Sequence, residues 1–330
     1  MTEQTGSPNA EIRKDGSFNR QINRFTTPFG EGPDELPVEE GRYRLVWCAA
    51  CPWAHRAVIV RGVLGLEDAI GLGTVSPMRP RVGRVDWEFS LDPDGVDPVL
   101  GVRYMSELYA NSDPDYAGRP TVPAMIDVDS RKVVNNDYFT LTNAFETAWA
   151  PYHKPGAPDL YPAHLRGEID SLNETIFHEV NNGVYKCGFA SSQEAYERAY
   201  DTLFARLDEL EKRLSERRFL HGDYITDSDV RLYTTLARFD AAYYAGFRTN
   251  RNLIREFEHL WGYVRDLYET PGFGDTTDFD AIKRHYHLSI TIHPDRPEVG
   301  ILPKGPDLAA WQVPHGRERL SKQESKFLIP

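Results

Sequence analysis

A cysteine followed directly by a proline, Cys51-Pro52, marks the position at which this sequence could carry nucleophilic chemistry. The β-branched and aromatic residues from Tyr43 to Trp47 predict a strand before it. The apolar spacing from Ala54 to Leu64 predicts a helix after it, and proline favours the first helical position. The partial positive charge of a helix N-terminus lowers the pKa of a thiol placed there. This context therefore favours a reactive Cys51 over a buried, inert one.

Cys48 forms a C-x-x-C pair with Cys51, and His55 follows four residues after Cys51. A metal site would need a fourth ligand, which neither Cys187 nor a nearby histidine offers at ligand spacing, so we predict no metal. Redox pairs usually place their first cysteine at the helix start, whereas here the second one has that position. We interpret Cys48 as a neutral neighbour, with a resolving thiol as the alternative. His55 is interpreted as structural, with a role as base for Cys51 as the alternative.

The elements around this motif predict a thioredoxin-like order of strand, helix, strand, hairpin and helix. A second strand is expected near 69–75, and a strand at 121–127 contains Pro123, which we predict to be cis. A cis proline there would expose the backbone of Val122 to the peptide-like part of a thiol. Asn135-Asn136-Asp137 is expected to cap a helix over 139–149.

The remaining sequence predicts a second, all-helical domain after a proline-rich linker. A long amphipathic helix is expected over 194–217, and Thr226 and Asp229 fit a capping box. Arg238 and Asp240 are interpreted as a buried ion pair that braces this domain. The predicted boundaries are an extended arm at 1–35, a thioredoxin-like domain at 36–150 with an insertion at 79–118, a linker at 151–162, a helical substrate domain at 163–295 and a tail at 296–330.

The composition argues against a nucleic-acid-binding, membrane-spanning or secreted disulfide-rich protein. The 330 residues carry a formal net charge of −12, which makes nucleic acid an unsuitable partner. No apolar run approaches the roughly 20 residues that cross a bilayer, and the N-terminus lacks a secretory signal pattern. Three cysteines are too few for a secreted disulfide framework of this length. We therefore expect a soluble cytoplasmic protein that acts on small molecules.

Several segments in the order expected of one family lie between residues 43 and 295. They are Cys51-Pro-Trp-Ala-His-Arg56, Thr121-Val-Pro123, Val134-Asn-Asn136, Asn182-Gly-Val-Tyr-Lys186, Gly188-Phe-Ala190, Leu236-Ala-Arg-Phe-Asp240 with Tyr243 and Phe247, and Ile282-Lys-Arg-His-Tyr286. On these residues the sequence resembles the glutathionyl-hydroquinone reductases, also called Xi-class glutathione transferases. The resemblance implies a glutathione-transferase-like fold with the active cleft between the two domains, and a homodimer.

The chemistry that the resemblance implies is removal of a thiol adduct from a thiolated hydroquinone through a mixed disulfide on Cys51. It assigns thiol contacts to Trp87, Arg119, Val122, Pro123, Asp137 and Tyr138, and places Tyr185, Tyr286 and His287 near the aromatic substrate. A phenol suits that place because it can stack on a quinol ring and donate a hydrogen bond to its oxygen. The alternatives are another cysteine-type transferase reaction (thiol exchange, deglutathionylation or dehalogenation) and a non-catalytic binding protein with the same fold.

The sequence departs from the family pattern at three places. Asp137-Tyr138 stands where the family usually has Glu-Ser, His287 stands where it has a tyrosine, and Cys48 is an unexpected thiol. The first departure changes the pocket for the γ-glutamyl end of glutathione. The co-substrate is therefore expected to be glutathione or another small thiol such as mycothiol or bacillithiol. Mycothiol is the favoured alternative to glutathione, because its sugar could stack on Tyr138.

Overall fold

The computed structural model describes residues 11–82, 84–289 and 301–330. They divide into two compact units. The first contains Glu11 and the described residues of 20–155 and 280–302, and the second contains residues 12–19, 156–279 and 303–330. The grouping differs from the predicted boundaries, because residues 280–289 group with the first unit and 12–19 with the second.

The first unit is built on a four-stranded mixed sheet. Its elements in chain order are β1 (Tyr43–Trp47), α1 (Pro52–Leu64), β2 (Ile70–Thr74), β3 (Arg81–Val82), β4 (Arg84–Val85), α2 (Met105–Ser112), β5 (Ala124–Asp127), β6 (Lys132–Asn135) and α3 (Leu141–Glu146). The strand order is β2-β1-β5-β6, with β1 parallel to β2 and antiparallel to β5. Val46 lies opposite both Gly73 and Ala124, so β1 is central. The predicted thioredoxin-like arrangement is confirmed.

Helix α1 begins and ends as its sequence predicts. Pro52 occupies its first turn, and the helix ends at Gly65, which has a left-handed backbone with φ of 73°. A residue with a Cβ would be strained at that angle, and the added carbon would lie 2.6 Å from the Lys154 side chain. Nearly all of α1 is buried, so it is held by packing on both sides rather than by one apolar stripe.

The segment interpreted as an insertion, 79–118, contains a structural element of the first unit. Helix α2 packs against β6, and its Ser112 Oγ accepts a hydrogen bond of 2.7 Å from the Val133 N–H. Met105, Leu108 and Tyr109 are fully buried. The interpretation of the whole segment as an insertion is therefore too broad. Its charged and Gly/Pro-rich residues flank a short apolar helix that the composition of the segment did not indicate.

The start of α3 also differs from the prediction. Asn135 closes β6 instead of capping a helix, and α3 begins only at Leu141. Asp137 binds the intervening turn, because its carboxylate accepts hydrogen bonds from the Phe139 N–H at 3.1 Å and the Thr140 hydroxyl at 2.8 Å. The helical segment is shorter than the predicted 139–149 because the backbone turns before it enters the helix.

The second unit is helical, as predicted. Its helices are α4 (Arg166–Ile176), α5 (Gly183–Phe189), α6 (Gln193–Glu216), α7 (Asp227–Arg238), α8 (Tyr244–Gly246), α9 (Glu258–Tyr268) and α11 (Leu308–Trp311). Helix α10 (Phe279–Lys283) begins in this unit, and its last four residues group with the first unit. The capping box of Thr226 and Asp229 opens α7.

The charged groups inside the second unit are paired differently from the prediction. Arg238 donates to the Thr234 carbonyl at 2.8 Å, while Asp240 accepts from the Ile254 N–H at 2.6 Å. Asp240 is therefore a cap for the turn at Ile254, and the two residues have separate roles in the fold. The bracing role falls to other buried ion pairs, Asp227 with Arg231 at 2.6 Å and Arg218 with Asp266 at 2.8 Å.

The end of the chain packs on the second unit. Trp311 of α11 is buried, with its ring 5.1 Å from that of Trp261. Within residues 11–82, 84–289 and 301–330, the structure contains no helix with both the length and the apolar character of a membrane span.

Candidate active site

Cys51 lies at the junction of β1 and α1. Its N–H donates to the Cys48 carbonyl at 2.9 Å, and its own carbonyl accepts from His55 at 3.0 Å, which starts the helix. The side chain is 9% exposed, and Sγ lies 3.4 Å from the Val122 carbonyl. The cysteine is therefore held at the helix N-terminus, against the residue that precedes the cis proline.

Cys48 faces the other neighbour of β1. Its Sγ lies 3.8 Å from the carbonyl of Ser76, which follows β2, whereas the Cys51 thiol lies at Val122, which precedes β5. Because β2 and β5 flank β1 on opposite sides, the two thiols point in different directions. In the described part of the chain, none of the three cysteines forms a disulfide. This placement favours the interpretation of Cys48 as a neighbour over that of a resolving thiol.

His55 and Cys187 lie in buried surroundings. The His55 ring is fully buried, with its centroid 6.1 Å from that of Trp47. Cys187 belongs to the second unit, and burial raises the pKa of its thiol to about 12. Cys187 is thus an unreactive thiol at neutral pH.

Trp87 stands at the centre of a buried stack in the first unit. The Arg79 guanidinium carbon lies 4.4 Å from the centroid of its ring, and the His285 ring stacks on it at 5.4 Å and 17°. Among the residues that the structure describes, the buried Trp87 Nε1 has no hydrogen-bond partner. An unsatisfied buried donor is costly, so this N–H is available to a bound ligand.

Val122 and Pro123 are joined by the predicted cis bond. Arg119 lies nearby in the chain, where its N–H donates to Gln21 Oε1 at 2.9 Å. Its guanidinium pairs with the Glu11 carboxylate at 3.0 Å. The predicted thiol-binding arginine is therefore already paired with a carboxylate of the N-terminal segment.

Asp137 and Tyr138 lie in a cluster of cations and aromatic rings. The Tyr138 ring packs against Trp53 at 4.9 Å, and the guanidinium carbons of Arg20 and Arg56 lie 4.6 Å and 4.7 Å from the Trp53 centroid. Burial raises the pKa of Tyr138, so its phenol is neutral. The Asp137 carboxylate also accepts from Asn23 Nδ2 at 3.2 Å. The Asp137 carboxylate is thus already hydrogen-bonded to neighbouring residues, and the large Tyr138 ring lies beside it.

The three predicted substrate-side residues fall in different units. Tyr286 and His287 lie in the first, where Tyr286 is 2% exposed and packs edge-on against His285 at 5.0 Å. Tyr185 lies in the second, in an aromatic cluster with Phe189, Tyr243 and Phe247. Gly188 permits that cluster, because a Cβ there would lie 2.5 Å from the Phe247 ring.

Sequence reasoning missed two members of the stack on Trp87. Arg79 fell inside the segment interpreted as an insertion, and no periodicity distinguishes it there. His285 belongs to one of the quoted motifs and could have been chosen with Tyr286. Across the described ranges, no group of three or more His, Cys, Asp or Glu side chains is arranged to hold a metal ion.

A thioredoxin-like unit with a cysteine at the start of α1 and a cis proline before β5, joined in one chain to a helical unit, is the architecture of a glutathione transferase. Residues 193–266 match the family described as "Glutathione S-transferase, C-terminal domain".

Three proteins illustrate the likeness over nearly the full chain. The glutathionyl-hydroquinone reductase YqjG of Escherichia coli is 38% identical over 92% of this chain and 93% of its own, and its glutathione-bound structure superposes with a TM-score of 0.77. A glutathione transferase from Gordonia bronchialis is 50% identical, with 93% and 94% of the chains covered and a TM-score of 0.85. The Xi glutathione transferase of Phanerochaete chrysosporium is 40% identical, with 90% and 95% covered and a TM-score of 0.82. This chain belongs to the Xi-class glutathione transferases, the family of the glutathionyl-hydroquinone reductases.

Proposed function

We propose that this protein is a glutathione-dependent reductase that removes glutathione from glutathionylated hydroquinones through a mixed disulfide on Cys51. The observation that carries the proposal is the position of Cys51, at the N-terminus of α1 and 3.4 Å from the Val122 carbonyl. The relative YqjG is named for this reaction.

The reaction balances as a reductive cleavage of a C–S bond followed by one thiol–disulfide exchange. The Cys51 thiolate attacks the sulfur of the thioether, an S–S bond forms, the aryl C–S bond breaks, and the aryl carbon takes a proton. The ring is reduced, and the two sulfurs are oxidised to a mixed disulfide. A second glutathione thiolate then attacks that disulfide, which releases glutathione disulfide and restores Cys51.

The hydrogen bond from the Cys51 thiol to the Val122 carbonyl offers a way to couple binding of the thiol substrate to activation of Cys51. A cysteine-containing thiol that pairs with the backbone of Val122 would donate its own amide N–H to the Val122 carbonyl. Since the Cys51 thiol uses that same carbonyl in the structure, the incoming amide would displace it. The released thiol would face the helix N-terminus, which stabilises the thiolate. Besides the Val122 carbonyl, which would accept, the buried Trp87 Nε1 is a donor that the thiol substrate could satisfy.

Release of free hydroquinone tests the proposal. We expect rapid, Cys51-dependent release from a glutathionyl-hydroquinone in the presence of glutathione, measured by liquid chromatography. A mixed disulfide between glutathione and a small thiol serves as the second substrate, and a preference for it over the hydroquinone would favour the alternative of general thiol exchange. If neither substrate turns over, the fold stands and the reductase function is wrong.

Mycothiol is the second candidate for the thiol, because the surroundings of Tyr138 differ from the family pattern. The Asp137 carboxylate is bonded to Asn23, Phe139 and Thr140, and the Tyr138 ring stands where the family has a small hydroxyl. A sugar ring could stack on this phenol, whereas the γ-glutamyl group loses a hydroxyl partner. Parallel assays with mycothiolyl-hydroquinone and mycothiol decide between the two thiols.

Replacing Tyr138 with serine should shift the selectivity towards glutathione. A regained hydrogen bond to a charged group is worth about 1.5–3 kcal/mol, so we expect the KM for glutathione to fall at least about tenfold while kcat changes little. Tyr138→Phe is the matched control, because it keeps the ring and should leave the KM near that of the wild type. Equal KM values for all three proteins would show that position 138 does not contact the thiol.

The homodimer, which the resemblance implies, and the cytoplasmic location, which the composition favours, remain predictions. So do the substrate contacts of Arg119, Pro123, Tyr185, Tyr286 and His287.

A further inference from the structure

A cavity of about 330 Å³ lies within the second unit, lined by the chain segment 12–19 and by helices α5 and α6. Its volume falls within the range of small-molecule sites, which is about 300–1,000 Å³. Ala195 and Ala199, one turn apart on α6, line one wall, and Thr202 continues the same face. Because these side chains are small, the wall leaves room for a ligand. The proposed Cys51 chemistry uses none of the residues that line this cavity.

The segment 12–19, called here the N-terminal loop, is fixed to the helices of the second unit. Its Gly16 carbonyl accepts a hydrogen bond from the Ser191 N–H at 3.0 Å. Its Asp15 carbonyl accepts one from the Ser192 hydroxyl at 2.8 Å. Since Ser192 caps α6, these bonds join the loop to the start of that helix. The side chains of the loop are therefore presented to the cavity from a bonded backbone.

The acidic side chains of the cavity are already paired with arginines. Asp15 forms an ion pair with Arg198 at 3.6 Å. Glu179 forms one with Arg206 at 2.6 Å. These two carboxylates are thus committed to other cations, and any further positive charge in the cavity is not neutralised by them.

Arg13 and Lys186 supply that further positive charge. Arg13 Nη2 donates to Asn19 Oδ1 at 2.7 Å, and Lys186 Nζ donates to the His178 carbonyl at 2.9 Å, so both acceptors are neutral. With respect to the residues placed by the structure, neither cation forms an ion pair. Burial lowers the pKa of the Lys186 ammonium, the nearby Glu179 carboxylate raises it, and the Arg13 charge lowers it again. A bound anion would offset both the burial and the repulsion.

The groups that line the cavity define the chemistry of its ligand. A guanidinium and an ammonium together suit the oxygens of a carboxylate or a phosphate. Ser17 and Thr202 also line the cavity, and each hydroxyl donates its proton within the protein. Their oxygens therefore remain as acceptors, which suits hydroxyl groups on the ligand. The net charge of −12 repels anions from the rest of the chain, so an anion held here is held by the cavity itself.

We propose that this cavity binds a small hydroxylated organic anion, a carboxylate or a phosphate ester, through Arg13 and Lys186. The site goes beyond the proposed reductase function and does not rest on it, because neither cation takes part in the Cys51 chemistry.

Protection of Lys186 from acetylation tests the proposal directly at the site. The rate of modification by sulfosuccinimidyl acetate is followed by peptide mass spectrometry as inorganic phosphate, glycerol 3-phosphate, succinate or malate is added, with ionic strength held constant by sodium chloride. We expect half-protection at millimolar anion and at least about fivefold slowing at saturation. The hydroxylated member of the preferred pair should protect at the lower concentration. Lys14 lies outside the cavity lining and should keep its rate.

R13Q and K14Q form a matched pair, since each removes one positive charge from an exposed position of the N-terminal loop. Only Arg13 lines the cavity. R13Q should raise the half-protecting concentration about tenfold, the loss expected for one charge-assisted contact, whereas K14Q should leave it unchanged. Circular dichroism confirms the fold of both variants. The proposal is overturned if none of the four anions protects Lys186, if Lys14 is slowed equally, or if R13Q and K14Q behave alike.

Discussion

Replacing Cys51 with serine is expected to lower the rate of hydroquinone release at least about a thousandfold, because a serine hydroxyl is not ionised at neutral pH and cannot form a mixed disulfide. The substitution is nearly isosteric at a position that is 9% exposed, so folding should be little affected. Steady-state release of hydroquinone and the thermal unfolding midpoint, measured on the same preparation, separate the two effects.

The other two cysteines provide matched controls for this prediction. Cys48→Ser should retain most of the activity, since the Cys48 thiol faces Ser76 and not Val122. Cys187→Ala should retain it as well, because Cys187 is a buried thiol of the second unit. With substrate but no second thiol, mass spectrometry should find one glutathionyl group on Cys51 of the wild type. Loss of activity in Cys48→Ser, with accumulation of that adduct, would instead make Cys48 the resolving thiol.

The centre of the thioredoxin-like unit could be predicted from the sequence because its signals are local. A five-residue strand, a short turn, Pro52 at the helix start and Gly65 at its end each act through neighbouring backbone angles. The capping box of Thr226 and Asp229 is local in the same way. Such features can be predicted from the sequence because the residues that cause each of them lie within four positions of one another.

The rest of the candidate site depends on contacts between distant parts of the chain. Arg79, Trp87 and His285 meet in one stack although about two hundred residues separate the first from the last. Helix α2 is short and lies among glycines and prolines, so its role against β6 becomes visible only when the sheet is formed. The prediction of a buried ion pair between Arg238 and Asp240 was wrong for the same reason, since the partners of Asp240 are the N–H groups of Ile254 and Arg255.

The contacts of Asp137 and Tyr138 explain what the departure from the family pattern at these two positions does. A shorter acid at position 137 is used to bind the turn before α3, which leaves Tyr138 and the two guanidinium groups on Trp53 to shape that pocket. Arg79 adds a cation on the Trp87 side. Selectivity for the thiol is thus expected to depend on the residues around Trp53 and Trp87, whereas Cys51 is held by its own turn and by Val122.

Replacing Asp229 with asparagine should cause the largest loss of stability among single substitutions outside the site, about 3–5 kcal/mol. The carboxylate is fully buried and accepts four hydrogen bonds, from the Leu220 N–H, the Tyr263 hydroxyl, and the N–H and hydroxyl of Thr226, at 2.8–2.9 Å. An asparagine keeps the shape but turns an NH₂ group towards two of these donors. The measurement is the urea unfolding midpoint, together with hydrogen exchange of the α7 amides.

Asp307→Asn is the matched control, because the Asp307 side chain caps α11 at an exposed position and accepts one hydrogen bond, from Ala309 at 3.0 Å. Asparagine is as good an N-cap as aspartate, so this substitution should cost well under about 1 kcal/mol. If both variants lose the same small amount of stability, the network around Asp229 is not what holds α7 to the second unit. A loss confined to Asp229→Asn, with faster exchange in α7 and an unchanged rate of Cys51 alkylation by iodoacetamide, would place the effect in the helical unit alone.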